Sequence, residues 1–207
     1  MEGALRGRAG DVRLIETLLW DGAGFPRLSL HLARLARGAE SLGFLCDPAA
    51  VQAALRGAVA DVPLRVRLTL GAAGDVEVTV AALPPAKAEW RVGLAVARLA
   101  SDDPWLRVKS TRRGVYDAAR AALPAGLDEV VFQNERGEVC DGTITTVFFD
   151  RGEGMRTPPL ACGLLPGVLR AEMAVPEEVL LVRDLPDVRL WVGNALRGLI
   201  PTVWAGY

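Results

Sequence analysis

The sequence predicts an α/β protein of the α+β kind, organised in two small lobes. Residues 30–43 repeat apolar side chains at helical spacing, which indicates an amphipathic helix. Residues 64–82 instead show two alternating runs around a Gly-rich turn, which is typical of a β-hairpin. Pro84 and Pro85 then interrupt the pattern, because a pair of prolines cannot continue a strand ladder.

This interruption predicts a domain boundary. We expect a small N-terminal α+β domain over residues 1–83 and a larger C-terminal domain over residues 88–207. The sequence shows no internal repeat and no low-complexity tract, so neither lobe is expected to be a solenoid or a linker.

Before the hairpin, the first lobe should contain one strand and two helices. Residues 12–20 form a branched apolar run that predicts a strand, and residues 21–24 have the composition of a hairpin connection. Ser29 is expected to cap the first helix, which should end at Gly43. A second helix is expected from Pro48 to about Ala60.

The second lobe is expected to alternate strands and helices. Its predicted helices cover residues 115–123 and the segment after the loop at 163–167, up to about Val175. A short turn is expected at residues 194–199. The predicted strands cover residues 90–99, 129–134, 143–150, 179–182 and 189–192.

Composition excludes several kinds of partner. With 24 basic and 25 acidic residues the net charge is −1, so no basic surface for nucleic acid or an anionic membrane is expected. The apolar runs are shorter than the roughly 18 residues that span a bilayer, and the first residues lack the apolar stretch of a signal peptide. We therefore expect a cytoplasmic protein.

Cysteine and histidine usage limits the chemistry. The three cysteines, Cys46, Cys140 and Cys162, form no close pair, so they are interpreted as small apolar residues. His31 is the only histidine, which excludes most zinc sites and leaves one candidate base for Ser-His or Cys-His schemes. No metal site is expected. A bound cofactor would supply the chemistry that the side chains lack.

Lys109 is the candidate nucleophile of the second half. It lies between apolar and polar residues after a Ser-Asp-Asp-Pro loop, where desolvation could make its amine nucleophilic. The alternative is a solvated surface cluster with Arg112 and Arg113.

Asp141 stands between a turn and a buried strand, where a carboxylate could face a positive partner. Its alternative is a residue that caps its own turn.

Two further features point to a phosphate. The loop at residues 163–167 places glycines before a predicted helix, whose free N–H groups and dipole favour an anion. Arg34 could direct a guanidinium at the same anion. A plain helix entry and a solvated helix face are the respective alternatives.

Taken in chain order, these features resemble the class IV aminotransferase and aminodeoxychorismate lyase family, the fold-type IV enzymes that use pyridoxal 5′-phosphate (PLP). The resemblance runs from about Leu14 to Pro201. It is carried by the helix segment 31–35 with 42–44, the lysine segment 109–116, and segments 128–132, 137–149, 157–160, 163–170 and 194–201.

The resemblance implies a role for each candidate. Lys109 would hold PLP through a Schiff base and later move protons at the substrate carbon, and Asp141 would pair with the pyridinium nitrogen. Arg34 would bind the cofactor phosphate. The backbone N–H groups of Val168 and Leu169 and the turn at Asn194 and Ala195 would assist it.

Several positions depart from the family pattern. Asp141 stands where the family usually has glutamate, and Thr146 and Arg112 stand where asparagine is common. The segment before Leu14 is shorter than is typical, which affects the part of the substrate pocket that it would cover.

Within the family, the Asn194 to Gly198 ending is more similar to the lyases, which convert 4-amino-4-deoxychorismate to 4-aminobenzoate and pyruvate for folate synthesis. A branched-chain or D-amino acid aminotransferase is the alternative. A PLP-fold protein without catalysis is a third interpretation. The resemblance also implies a homodimer, a small-molecule substrate and PLP in the cleft between the two lobes.

Overall fold

The computed structural model describes residue 5 and residues 11–206. It divides into two compact units. The first extends to Pro85 and also contains Val108–Arg112, and the second comprises Ala86–Arg107 and Arg113–Tyr207. The predicted division at the prolines placed Lys109 in the C-terminal domain, whereas the structure groups it with the first unit. The reason is backbone pairing between its segment and the first strand.

The first unit is a three-stranded antiparallel sheet with two helices. Its strands are β1 (Leu14–Trp20), β2 (Leu64–Leu70) and β3 (Val76–Ala82), in the spatial order β1-β2-β3. The helices are α1 (Leu28–Leu42) and α2 (Pro48–Arg56), and they contact β1 and β3 respectively. The predicted hairpin of β2 and β3 is confirmed, with Leu64 opposite Ala82 and Leu70 opposite Val76.

The hairpin connection predicted after β1 is wrong. The Asp21 carboxylate accepts hydrogen bonds from the backbone N–H groups of Ala23 and Gly24, so the segment is a local turn. The chain then enters α1, and the antiparallel neighbour of β1 is β2, more than forty residues later.

The ends of α1 and α2 agree only in part with the predicted ones. The predicted cap at Ser29 is wrong, because α1 begins after Arg27, which has a left-handed backbone and makes no side-chain capping bond. Gly43 ends α1 with φ 72°, as predicted for a C-terminal glycine. Asp47 caps α2 by accepting from Ala49 N–H. That helix ends at Arg56, earlier than predicted.

The second unit contains a closed six-stranded barrel. In order around the barrel its strands are β4 (Trp90–Leu99), β5 (Glu129–Asn134), β6 (Val139–Gly142), β7 (Thr146–Asp150), β8 (Arg189–Asn194) and β9 (Gly198–Trp204). β4 closes the barrel by parallel pairing with both β5 and β9. Its interior is apolar, with buried side chains that include Val92, Val131, Val147, Phe149, Leu190 and Ile200.

Two helices complete this unit, α3 (Gly114–Ala121) and α4 (Val168–Met173). The predicted strands at 90–99 and 129–134 are confirmed. The strand predicted at 179–182 is wrong, since this segment makes only an isolated bridge between Leu181 and Glu138 before a 3₁₀ helix. The predicted strand 143–150 is shorter, and β6 and β9 are additional strands.

Candidate active site

Lys109 is held by the first strand of the chain. Its carbonyl accepts from Ile15 N–H at 2.8 Å, and Thr111 N–H donates to Arg13 O at 2.8 Å. Leu14 and Ser110 form an antiparallel bridge between these two bonds. The lysine is half-buried, while Arg112 is exposed. The backbone of the Lys109 segment is thus paired with β1, and its side chain is less exposed than that of Arg112.

Arg34 lies on α1 and is buried, with 8% of its surface exposed. Its Nε and Nη2 donate to the two carboxylate oxygens of Glu16 at 2.8 Å and 2.6 Å. Both planar groups therefore meet side by side, which is the strongest geometry for this pair. The alternative of a solvated helix face is wrong. Glu16 engages Nε and Nη2, so a further acceptor would have to approach the third guanidinium nitrogen, Nη1.

Glu16 also contacts the only histidine. Nδ1 of His31 lies 2.6 Å from Glu16 Oε2, and both residues are almost fully buried. Burial by itself would raise the pKa of the Glu16 carboxyl, but the charge and hydrogen bonds of Arg34, together with those of His31, hold that pKa below its ordinary value. His31 is therefore part of a buried polar network rather than an accessible general base.

Asp141 lies in β6, opposite Thr146 of β7, and is 5% exposed. Its Oδ2 accepts from Leu165 N–H at 2.9 Å, a bond that joins the strand to the Gly-rich loop. The interpretation of Asp141 as a residue that only caps its own turn is therefore wrong. A buried carboxylate held in this way can face a cationic ring nitrogen.

The loop at residues 163–167 leads into α4, as predicted. Val168 and Leu169 are the first residues of that helix, and no side chain caps it. Their side chains are buried and apolar, so these two residues could bind a ligand through their backbone N–H groups. A Cβ atom at Gly167 would lie only 2.6 Å from Thr146 Oγ1, which explains why glycine stands at the helix entry.

Asn194 ends β8 and organises the following turn. Its Oδ1 accepts from the N–H groups of Leu196 and Arg197 at 3.1 Å and 3.0 Å. Its Nδ2 donates to Ile144 O at 3.2 Å, which ties the turn to the loop between β6 and β7. Ala195 is buried within the turn.

Two residues that the sequence did not single out also belong to this region. Tyr116 packs edge-on against Phe132, with ring centroids 5.1 Å apart. Burial, with the charge of Asp141, raises the pKa of its hydroxyl far above the ordinary value, so Tyr116 stays protonated. Glu129 is fully buried at the start of β5. Neither could be found from periodicity, because each depends on which segments meet in the fold.

The predicted site residues therefore fall into two groups. Asp141, the N–H groups of Val168 and Leu169, and the Asn194 turn belong to the second unit, where Asp141 is bonded to the Gly-rich loop. Lys109 and Arg34 belong to the first unit and are organised by β1.

Within the residues that the structure describes, no cluster of His, Cys, Asp or Glu has the makeup of a metal site. Nor does any helix of residues 11–206 reach the length and apolar character that crossing a membrane requires.

Comparison with known proteins decides the family. A family model described as amino-transferase class IV matches residues 13–203, nearly the whole chain. The chain belongs to this family. The resemblance inferred from the sequence is confirmed, and with it the α/β architecture of the fold-type IV enzymes.

Three known proteins are similar to this chain. A Schizosaccharomyces pombe protein, provisionally named as an aminodeoxychorismate lyase, is 34% identical over 167 residues, which are 77% of this chain and 72% of that protein. A Mesorhizobium loti structure, provisionally named as an amino-acid aminotransferase, is 44% identical with a TM-score of 0.90, covering 94% of this chain and all of that one.

The third relative shares the fold. It is a hypothetical aminotransferase from Mycobacterium tuberculosis with α-ketoglutarate and PMP bound, 22% identical, with a TM-score of 0.77 over 96% of this chain and 83% of that one.

Proposed function

We propose that the protein is a PLP-dependent aminodeoxychorismate lyase, which converts 4-amino-4-deoxychorismate to 4-aminobenzoate and pyruvate. The observation that carries this proposal is the 34% identity to the provisionally named lyase over most of both chains. The Asn194 to Gly198 turn, which is more similar to the lyases, agrees with it.

The residues present fit PLP chemically. An aldehyde needs an amine, a phosphate needs N–H donors and a guanidinium, and a pyridine nitrogen needs a carboxylate. The chain supplies Lys109, Arg34 and Asp141 for these three tasks. The start of α4 also supports the fit, since no side chain caps this helix and the N–H groups of Val168 and Leu169 can donate to an anion.

When bound, PLP would supply an electron sink that stabilises negative charge on a substrate carbon. Lys109 would link to the cofactor through Nζ. Once the substrate amine has replaced it there, the freed Nζ would take the proton from the carbon that carries the substrate amino group and return a proton to the departing enolpyruvyl group. Asp141 would keep the ring nitrogen protonated. Arg34 and the N–H groups of Val168, Leu169 and Ala195 would hold the phosphate.

The shorter acid at position 141 suits this role. Aspartate reaches one methylene less far than the usual glutamate, but the Leu165 N–H bond keeps its carboxylate oriented and buried. A fixed, desolvated carboxylate pairs more strongly with a cation than a solvated one. We therefore infer that Asp141 replaces the glutamate in function.

An amino-acid aminotransferase, of the branched-chain or D-amino acid kind, is the second candidate function. The 44% identity to the provisionally named aminotransferase favours it. Both reactions begin with proton removal by the lysine, so the same residues would serve either one. A PLP-fold protein without catalysis is the third.

Two assays on the purified protein with PLP separate these functions. One supplies 4-amino-4-deoxychorismate and measures 4-aminobenzoate and pyruvate. The other supplies branched-chain or D-amino acids with 2-oxoglutarate and measures glutamate. We expect product in the first assay and little in the second. Glutamate in the second assay alone would establish the aminotransferase, and no product in either would favour the non-catalytic protein.

The link to the cofactor has its own test. The protein with PLP should be yellow, and borohydride should bleach the colour by fixing the cofactor to Lys109. Lys109→Ala should bind PLP without a reducible link. A fixed adduct on another lysine of that variant, found by peptide mass spectrometry, would contradict the assignment.

A homodimer located in the cytoplasm belongs to the same proposal and rests on the family resemblance. Sedimentation at micromolar concentration should give about twice the 22.1 kDa mass of one chain. A monomer that retains full activity would show that one chain completes the site.

A further inference from the structure

Glu129 is a buried carboxylate that the proposed chemistry does not use. It begins β5 and has no exposed surface. Its nearest cation, Arg120, lies 3.6 Å away and is more than one third exposed. Burying a carboxylate is costly unless hydrogen bonds replace its water. The hydrogen bonds that Glu129 accepts therefore offset the cost of removing its carboxylate from water.

Besides Val130 N–H, which donates to Oε1 at 3.0 Å, the donors to Glu129 come from one loop. Glu129 Oε1 accepts from the N–H and hydroxyl of Thr143 at 3.1 Å and 2.6 Å, and Oε2 accepts from Ile144 N–H at 3.2 Å and the Thr145 hydroxyl at 3.0 Å. The loop joins Asp141 in β6 to Thr146 in β7, and Gly142 N–H closes it by donating to Thr145 O. Glu129 thus fills the inside of the loop with four accepted bonds.

The outside of the loop contacts Asn194. The Ile144 carbonyl accepts from Asn194 Nδ2, while Asn194 Oδ1 accepts from Leu196 and Arg197 N–H. The opposite amide orientation would face N–H groups with an NH₂ group, so the Ile144 carbonyl selects the orientation that shapes the turn. A chain of direct hydrogen bonds therefore connects Glu129 with the turn that contains Ala195.

We propose that Glu129 is a positioning residue for cofactor binding: by fixing the 143–145 loop it orients Asn194 and so shapes the 194–197 turn to receive the phosphate. This inference rests on the proposed function, because it takes that turn as part of the phosphate site. Glu129 itself does not touch the cofactor. Its carboxyl oxygens instead accept hydrogen bonds from the four loop donors.

The test compares PLP with pyridoxal, which lacks the phosphate. Dissociation constants are measured by tryptophan fluorescence for the wild type and Glu129→Gln at a temperature where circular dichroism shows both folded. Glutamine places an NH₂ group against loop donors and loosens the loop. We expect PLP affinity to fall about tenfold, while pyridoxal affinity stays unchanged. Equal losses for both ligands, or no loss for PLP, would overturn the proposal.

A double-mutant cycle tests the route. Asn194→Ala should lower PLP affinity by a similar factor. In the double variant with Glu129→Gln, the loss of affinity should be much smaller than the product of the two single losses, because both substitutions act on one turn. Independent, multiplicative effects would contradict the connection. If the Glu129→Gln variant does not fold, the Glu129→Asp variant is used instead, with the same expected outcomes.

Asp150→Asn is the matched control. Asp150 is a buried carboxylate of the same barrel, which caps Gly152 and Gly154 and pairs with Arg189, outside this network. Asp150→Asn should lower the melting temperature and leave the affinities for PLP and for pyridoxal unchanged. Failure of the wild type itself to bind PLP would instead refute the proposed function, which keeps the two failures distinct.

Discussion

At the scale of single residues, the first unit contains a buried ion pair. Arg34 and Glu16 meet through two hydrogen bonds, and Glu16 also contacts His31. Removing one partner of a buried pair leaves the other charge without compensation, which costs more than the pair itself stabilises. Any test of Arg34 as a phosphate ligand must therefore separate loss of the fold from loss of binding.

Arg34→Met should destabilise the protein by about 3–5 kcal/mol, since the Glu16 carboxylate stays buried without its cation. Adding Glu16→Gln removes that charge and should restore much of the free energy of unfolding measured in urea. PLP affinity of the double variant should remain ten- to a hundredfold below that of the wild type, corresponding to about 1.5–3 kcal/mol. Wild-type affinity in the double variant would show that Arg34 has a structural role only.

Asp141 allows a test of chemistry with little effect on the fold. Asp141→Asn keeps an oxygen for Leu165 N–H but loses the charge that would keep the ring nitrogen protonated. Turnover should fall by about 10² or more, roughly 2.7 kcal/mol, while PLP still binds. Asp141→Glu should retain substantial activity. An active Asn variant beside an inactive, destabilised Glu variant would contradict the role of this acid.

At the scale of elements, the entry of α4 depends on a missing side chain. Gly167 has φ −65°, which any residue can adopt, so its constraint is space rather than backbone strain. Gly167→Ala should push Thr146 and the start of α4 apart, since its Cβ would meet Thr146 Oγ1 at 2.6 Å. We expect weaker PLP binding, measured by titration. Thr146→Ala in the same chain should recover most of it, and no recovery would place the conflict elsewhere.

Some strands could be predicted from the sequence and others could not. The β2–β3 hairpin, β4 and β5 were predictable because alternation and turn residues are local signals. β9 was missed because Pro201 argues against a strand, and β6 because it has four residues that include Asp141 and Gly142. The strand predicted at 179–182 has the right composition but no continuous partner.

The candidate site divides in the same way. Lys109, Asp141 and the Gly-rich loop were found because the family pattern orders them along the chain. The Glu16–His31–Arg34 network and the Glu129 bonds join positions that only the fold brings together. No periodicity records such contacts, so local patterns could not reveal them.

For the whole molecule, we expect the stability of the folded protein to decrease as the pH falls. The pKa of Glu138 is lowered to about 2, first by its hydrogen bond from Arg136, and that of Glu16 is also below its ordinary value. A carboxyl with a lowered pKa in the folded state stabilises the protein above its unfolded pKa, and this contribution is lost as pH falls through the folded value.

The melting temperature should therefore drop between pH 4.5 and about 2, the window set by the ordinary and lowered pKa of Glu138. Glu138→Gln should make this dependence shallower, because an amide cannot take up the proton. Scanning calorimetry over this range measures both. An unchanged slope in the variant would show that Glu138 does not contribute to it.

The pairing of the Lys109 segment with β1 also has a consequence for the folding of the chain. A fragment ending at Pro85 would contain all three strands of the first sheet, yet the outer edge of β1 would lack the bonds that Lys109 and Thr111 provide. Such an open edge can recruit strands from other molecules. Until residues 108–112 have been synthesised, the nascent chain should expose an edge prone to aggregation, and the segment that carries Lys109 is also the one that covers this edge.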